Sequence, residues 1–404
     1  MIDQPTRTSL AIAATLSAAI LLTLTAPRPR TVLAADKPAD KPAAVFGWDP
    51  QAAARYLDSR EVWWQQWDRT QKDHGTYCIS CHTQLPYGLA RPILRQQLSE
   101  PAPSGAERAM LDSIEKRVRL WDEVEPFYKN DKNGVGQAVG ARNAESVLNA
   151  IILASYDRRQ GHTSETTLLA FRNAWALQSK TGPTAGAWVW QNFHYTPWES
   201  PESEYYFAAQ MAIANGKLAA PIPRDNPMQS SLVNQPEFRN QGRANPADLA
   251  LLTGYLRTHY EAQPLVNKLA AFWAERHLPG LLTPQQDRKL IADLDRLQHN
   301  DGGWSLTDLG SWQRMDNTPL ETRSDGYATG LIVLALEQHF TPNRARRMPQ
   351  VARAIAWLIA NQDKTTGAWP AWSLNKNRDP DSNAGPFMTD AATAYAVMAL
   401  EARH

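Results

Sequence analysis

Both cysteines of the 404-residue chain fall in one five-residue unit, Cys78-Ile79-Ser80-Cys81-His82. Two thiols three positions apart, with a histidine directly after the second, have the spacing of covalent c-type haem attachment. Each thiol can form a thioether to a haem vinyl group, and the His82 imidazole then lies under the iron as its proximal ligand. The same spacing also admits a redox dithiol or part of another metal site. Tetrahedral zinc usually takes four Cys or His ligands, and no second Cys pair exists to complete a set. A thioredoxin-like pair wants a βαβ context, whereas these flanks look helical or irregular. A disulfide across two intervening residues would be strained. The unit therefore predicts haem c held by Cys78, Cys81 and His82.

A second axial ligand would set the work of such a haem: Met or His gives an electron-transfer centre, an open position admits ligand or oxygen chemistry. The candidates are Met110, His74, His162, His194 and Met228. After the motif, Tyr87 and Arg91 are candidate partners for the haem propionates, and Trp63, Trp64 and Trp67 for a covering apolar surface. Carboxylates form the other set. Glu145, Glu204, Asp248, Asp325 and Asp390 each stand near the start of an expected inner helix, where the dipole and unpaired amides favour an acid. Gathered at one end of a ring of helices they would make an acidic mouth, with Asp325 and Asp390 in matching places as the candidate catalytic pair.

The elements around these residues begin with an export signal. Arg7 precedes an uncharged apolar run, Leu10 to Ala26, and Leu33-Ala34-Ala35 offers small residues for cleavage. Residues 1–35 read as a signal peptide, the alternative being an uncleaved membrane anchor, and the destination as the periplasm or another exported compartment. That agrees with a haem attached outside the cytoplasm. Residues 36–47 form a Pro/Ala/charged linker, 48–138 a haem-attachment segment, and 139–404 the main body. A net charge of +1 argues against nucleic acid as a partner and gives no general basic surface.

The body repeats. Residues 164–178, 283–298 and 349–362 each read as a helix ending in Gln178, Gln298 or Gln362. A Gly-x-Trp turn follows, with Gly186 and Trp188, Gly302 and Trp304, or Gly367 and Trp369. A second helical stretch then closes each unit. Self-similarity of this kind signals stacked helical hairpins, none able to bury its faces alone. The glycine is expected to take positive φ, the glutamine to donate to helix-end carbonyls, and the tryptophan to cover the helix end. The second helices are apolar all round and the first carry charges, which predicts an inner apolar ring inside an outer amphipathic one. Residues 141–159 and 245–260 read as further inner helices, and 263–276 as outer. Strand patterning is almost absent, so the fold class is all-α.

Leu297-Gln298 through Gly303-Trp304, and Asn361-Gln362 through Ala368-Trp369, resemble the Gln-Trp repeats of squalene-hopene cyclases and the related prenyltransferase/squalene-oxidase-repeat proteins. The resemblance covers roughly residues 140–404 and implies an α/α toroid around a central cavity. The chemistry of that family is not implied. Its cyclases use an Asp-x-Asp-Asp acid, and this chain has no two adjacent aspartates. Its protein prenyltransferases hold zinc with a cysteine, and both cysteines here belong to the Cys-x-x-Cys-His unit. The leading expectation is an exported c-type haem protein on a cyclase-like toroid, acting in electron transfer with a redox partner protein or in haem-based redox chemistry. The alternatives are a haem-dependent oxidoreductase acting on an apolar, isoprenoid-like small molecule in the toroid cavity, and a non-catalytic binding module.

Overall fold

A computed structural model describes residues 47–130, 136–218 and 244–401, all within one compact unit. The unit is all-α apart from a two-residue antiparallel pair, Gln71–Lys72 with Thr76–Tyr77. Its helices are α1 (Pro50–Gln66), α2 (Gln84–Gln97), α3 (Gly105–Arg119), α4 (Ala138–Gln160), α5 (Glu165–Leu177) and α6 (Ser203–Lys217). After them come α7 (Pro246–His259), α8 (Leu265–Ala274), α9 (Pro284–Leu297), α10 (Gly326–Phe340), the short α11 (Pro342–Ala345), α12 (Pro349–Ala360) and α13 (Phe387–Glu401). The segment 48–138, expected to carry a haem, supplies the first three of these helices to the same unit.

Six helices are buried along most of their length, and their contacts close on themselves. α2 packs on α4, α4 on α6, α6 on α8, α8 on α10, α10 on α13, and α13 on α2. α1, α3, α5, α7, α9 and α12 alternate with them in the chain and pack against their outer faces. The reason lies in composition. α10 and α13 are rich in Ala, Leu and Val on every face, and a helix apolar all round must be covered all round. α9 buries only Leu290 and Leu294 of its fourteen residues.

The assignment of 245–260 as inner and 263–276 as outer is reversed in the structure. α7 buries only Leu252, Tyr255 and Leu256, whereas α8 buries Val266, Asn267 and all of Leu269 to Ala274. The turn between them is short and lacks the Gln and Gly-x-Trp unit, so nothing in the local sequence marks which helix goes inside.

Where the unit occurs it works as a two-way clasp. Trp188 Nε1 donates to Ala174 O, Trp304 Nε1 to Leu294 O and Trp369 Nε1 to Leu358 O, at 2.6–2.8 Å. Each acceptor lies four residues before the glutamine, at the end of the outer helix, where carbonyls lack helical partners. The glutamines do something else than expected. Gln178 Nε2 donates to Gly186 O and Asp248 O, Gln298 to Gly302 O and Gln350 O, and Gln362 to Gly367 O and Asp49 O. One carbonyl belongs to the glutamine's own turn, the other to the start of the next outer helix. Gly367 sits at φ +82°, with an added Cβ 2.4 Å from the Ala52 carbonyl carbon, so this turn needs both the left-handed backbone and the missing side chain. Through Gln362, the last hairpin clasps the first.

Candidate functional site

The Cys-x-x-Cys-His unit forms the turn between α1 and α2. Ser80 Oγ accepts from the Thr83 and Gln84 amides at 3.2 and 3.0 Å, satisfying donors that the start of α2 leaves open. Trp64, on α1, donates its Nε1 to Cys78 O at 2.8 Å. The His82 ring lies flat on Phe387 of α13, with centroids 3.7 Å apart, and meets Trp64 edge-on at 5.1 Å and Trp198 at 5.8 Å. Cys81 is buried and Cys78 half-buried, both as free thiols. Burial pushes the Cys78 thiol up to about 12 and Cys81 well above its ordinary value, with Glu199 adding to the latter. Neither is a ready thiolate nucleophile.

This geometry corrects the haem c expectation. Trp63, Trp64 and Trp67, expected to cover a macrocycle, instead pack on each other, while Phe387 covers one face of the imidazole and Trp64 and Trp198 stand beside it. Among the described residues, no group of three or more His, Cys, Asp or Glu side chains could hold a metal ion. Cys78, Cys81 and His82 do not fit a haem, and the haem, iron and metal-binding assignments fall with it. The expected second ligands lie elsewhere. Met110 is fully buried in the core, its methyl beside Gly88 and Ile152 on α2 and α4. His74 and His194 are exposed turn residues with positive φ, and His162 follows the end of α4. Met228 lies outside the described residues. Tyr87 and Arg91 both bind Asp58, at 2.7 and 2.9 Å, and Arg91 also meets Glu100 at 2.7 Å, so they tie α2 to its neighbours.

What the structure does build at His82 is a relay. His82 Nδ1 lies 2.9 Å from Thr83 Oγ1, and that hydroxyl lies 2.8 Å from Asp390 Oδ2. The carboxylate can only accept from the hydroxyl, so the hydroxyl's oxygen accepts from Nδ1–H and Nε2 is left as the acceptor nitrogen. Asp390 is buried and also takes Tyr56 Oη and Arg60 Nε, both at 2.8 Å. Burial, then the positive charges of Arg60 and Arg378, hold His82 down to about 3, so the ring is neutral. Burial also raises Glu199 to about 7.

The other sequence-picked acids are separately engaged. Asp325 caps α10, its Oδ1 accepting from Ala328 N at 2.8 Å and its Oδ2 from Leu306 N at 2.6 Å, and burial raises it to about 7. Glu145 pairs with the buried Arg117, Glu204 accepts from Trp190 N, and Asp248, on the outer helix α7, pairs with Lys180. The expected acidic mouth is a set of capped and paired carboxylates.

A cavity of about 380 Å³ lies at the opposite ends of the buried helices. All six line it: Ile93 from α2, Ser155 from α4, Lys217 from α6, Trp273 from α8, Leu334 from α10 and Met398 from α13. Sequence reasoning missed it. The available signal was basic residues in the last turns of otherwise apolar helices, Arg158-Arg159 in α4 and Lys217 in α6.

No family model, curated protein or solved structure matches the chain. Among the described residues, no helix is long and apolar enough to cross a membrane, and the expected signal peptide lies outside them.

Proposed function

We propose that the chain is an exported, squalene-cyclase-like α/α toroid that binds a small organic molecule in its lumen. One observation carries this reading: a single cavity is lined from all six helices of the closed cycle. A volume of about 380 Å³ falls at the lower end of the usual range for ligand sites, roughly 300–1,000 Å³. It suits a compact amphiphile better than a long isoprenoid. The opposite end of the interior is filled by aromatic side chains, with Tyr206 Oη 2.7 Å from Tyr395 Oη and Tyr327 edge-on to Tyr395. A redox partner protein was tied to the haem and has no place in this reading.

Native mass spectrometry of protein purified from an exporting host tests the binding reading. The expected spectrum carries a small-molecule adduct that is lost on denaturation and absent from Leu334→Trp, which fills the lumen. Circular dichroism checks that the variant folds, and Met398→Phe serves if it does not. Ligand-free protein that takes up no added amphiphile, or uptake unchanged in the filled variants, would overturn the proposal.

A further inference from the structure

The lumen's polar groups are unbalanced, and the imbalance identifies its ligand. Three of its four charged lining residues are cations: Arg158 and Arg159 at the end of α4 and Lys217 at the end of α6. Among the described residues, none of the three has a carboxylate partner. Arg159 reaches only the Gln96 side-chain carbonyl at 3.4 Å, and Lys217 Nζ only Ser155 Oγ at 3.2 Å. The remaining charge, Glu401, comes from α13. Cations in a helix's last turn complement its exposed carbonyls, which accounts for basic residues at this end. It does not account for three of them on two neighbouring helices lining one cavity, where like charges repel.

Lys217 is held against both burial and its like-charged neighbours. Burial, then Arg159 and Arg158, lower its ammonium to about 8, whereas a bound anion would favour the charged form. Trp273 also lines the cavity, with Lys217 Nζ 5.8 Å from its indole ring. The rest of the wall is mixed, apolar at Leu89, Ile93, Leu334 and Met398 and polar at Gln97 and Gln338.

We infer that the lumen binds an amphiphilic organic anion. Its carboxylate or phosphate oxygens are taken by Lys217, Arg158 and Arg159, and its apolar tail lies against Leu89, Leu334 and Met398. This rests on the lumen reading proposed above and adds the sign and place of the ligand's charge.

Isothermal titration calorimetry on the full chain tests it with four probes of equal chain length: decanoate, decyl phosphate, decanol and decyltrimethylammonium. The expected result is that at least one of the two anions binds about 10-fold or more tightly than decanol, and that the cation binds weakest. Lys217→Gln should remove most of that advantage and leave decanol affinity unchanged. Lys217→Arg should retain it, which guards against a loss of fold. Arg158→Gln combined with Arg159→Gln should weaken the anion several-fold. Equal affinity for decanol and both anions, or anion binding indifferent to Lys217→Gln, would overturn the anion assignment while leaving the lumen reading standing. Tightest binding of decyltrimethylammonium would also overturn it. Failure of all four probes would overturn both.

Discussion

Replacing Gln362 by Ala should open the clasp between the last hairpin and the first. Gln362 is 3% exposed and makes three hydrogen bonds: Nε2 to Gly367 O at 2.9 Å and to Asp49 O at 2.8 Å, and Oε1 from Asp49 N at 2.6 Å. Asp49 O keeps its helical bond from Ala53 N, so the truncation orphans two backbone groups, Asp49 N and Gly367 O. An orphaned buried polar group costs about 1–3 kcal/mol; Gly367 is buried whereas Asp49 is exposed and its amide can turn to water, so the loss is about 2 kcal/mol. With an unfolding entropy of roughly 2.1 cal/mol/K per residue, that lowers the apparent Tm by about 3 °C. Gln362→Glu should be worse than Gln362→Ala. It keeps an acceptor for Asp49 N but sets a carboxylate oxygen against the two carbonyls that the amide had bound. Urea unfolding followed by circular dichroism measures the loss, and hydrogen exchange at the Ala52 and Ala53 amides locates it. A loss below about 0.5 kcal/mol, or a glutamate variant as stable as wild type, would refute the clasp.

Trp304→Ala and Trp369→Ala should each cost about 3–5 kcal/mol, since both rings are fully buried and each holds a helix-end carbonyl; unfolding curves check this. His82 should stay neutral from about pH 8 to about pH 5, read from its ring chemical shifts, because its folded value of about 3 lies below the ordinary 6.5. The unfolded chain then binds a proton that the folded chain does not. His82 therefore contributes stability above pH 6.5 that is lost as pH falls toward 3, and His82→Gln should remove that component of the pH dependence. Glu61, Glu199 and Asp325, raised by burial to about 7, work in the opposite direction over the same window, so the comparison is between variant and wild type. Asp390→Ala should destabilise by about 3–5 kcal/mol in urea unfolding, because it strands the Arg60 guanidinium beside Tyr56 and Thr83. Squalene incubated with the pure protein should yield no hopene by gas chromatography. Asp325 is held by two backbone amides and has a raised pKa, so it is not a strong acid.

The all-α class and the stacked hairpins were legible because the Gln and Gly-x-Trp unit is a local pattern with a local job, one tryptophan bonding one helix end. It marks three of the six outer–inner junctions. The junction of α7 with α8 has no such mark, and Leu249 to Leu256 looks as apolar as an inner helix, although only Leu252, Tyr255 and Leu256 are buried. The Cys-x-x-Cys-His unit misled for a different reason. Its five residues carry the ligand types but not the space beside them. That space is taken by Phe387, some three hundred positions along the chain. The pairing of Asp390 with Thr83 was equally out of reach, because it joins the first buried helix to the last. Asp390 could be chosen as a candidate from its place in the repeat, but its partners could not.

Crystals soaked with ω-bromodecanoate offer the most direct test that the lumen is a ligand site. The expected map holds one dominant anomalous bromine peak among Leu89, Leu334 and Met398, with the carboxylate within hydrogen-bonding reach of Lys217 Nζ. An empty lumen in soaked crystals, or bromine only on the outer surface or beside His82, would contradict it.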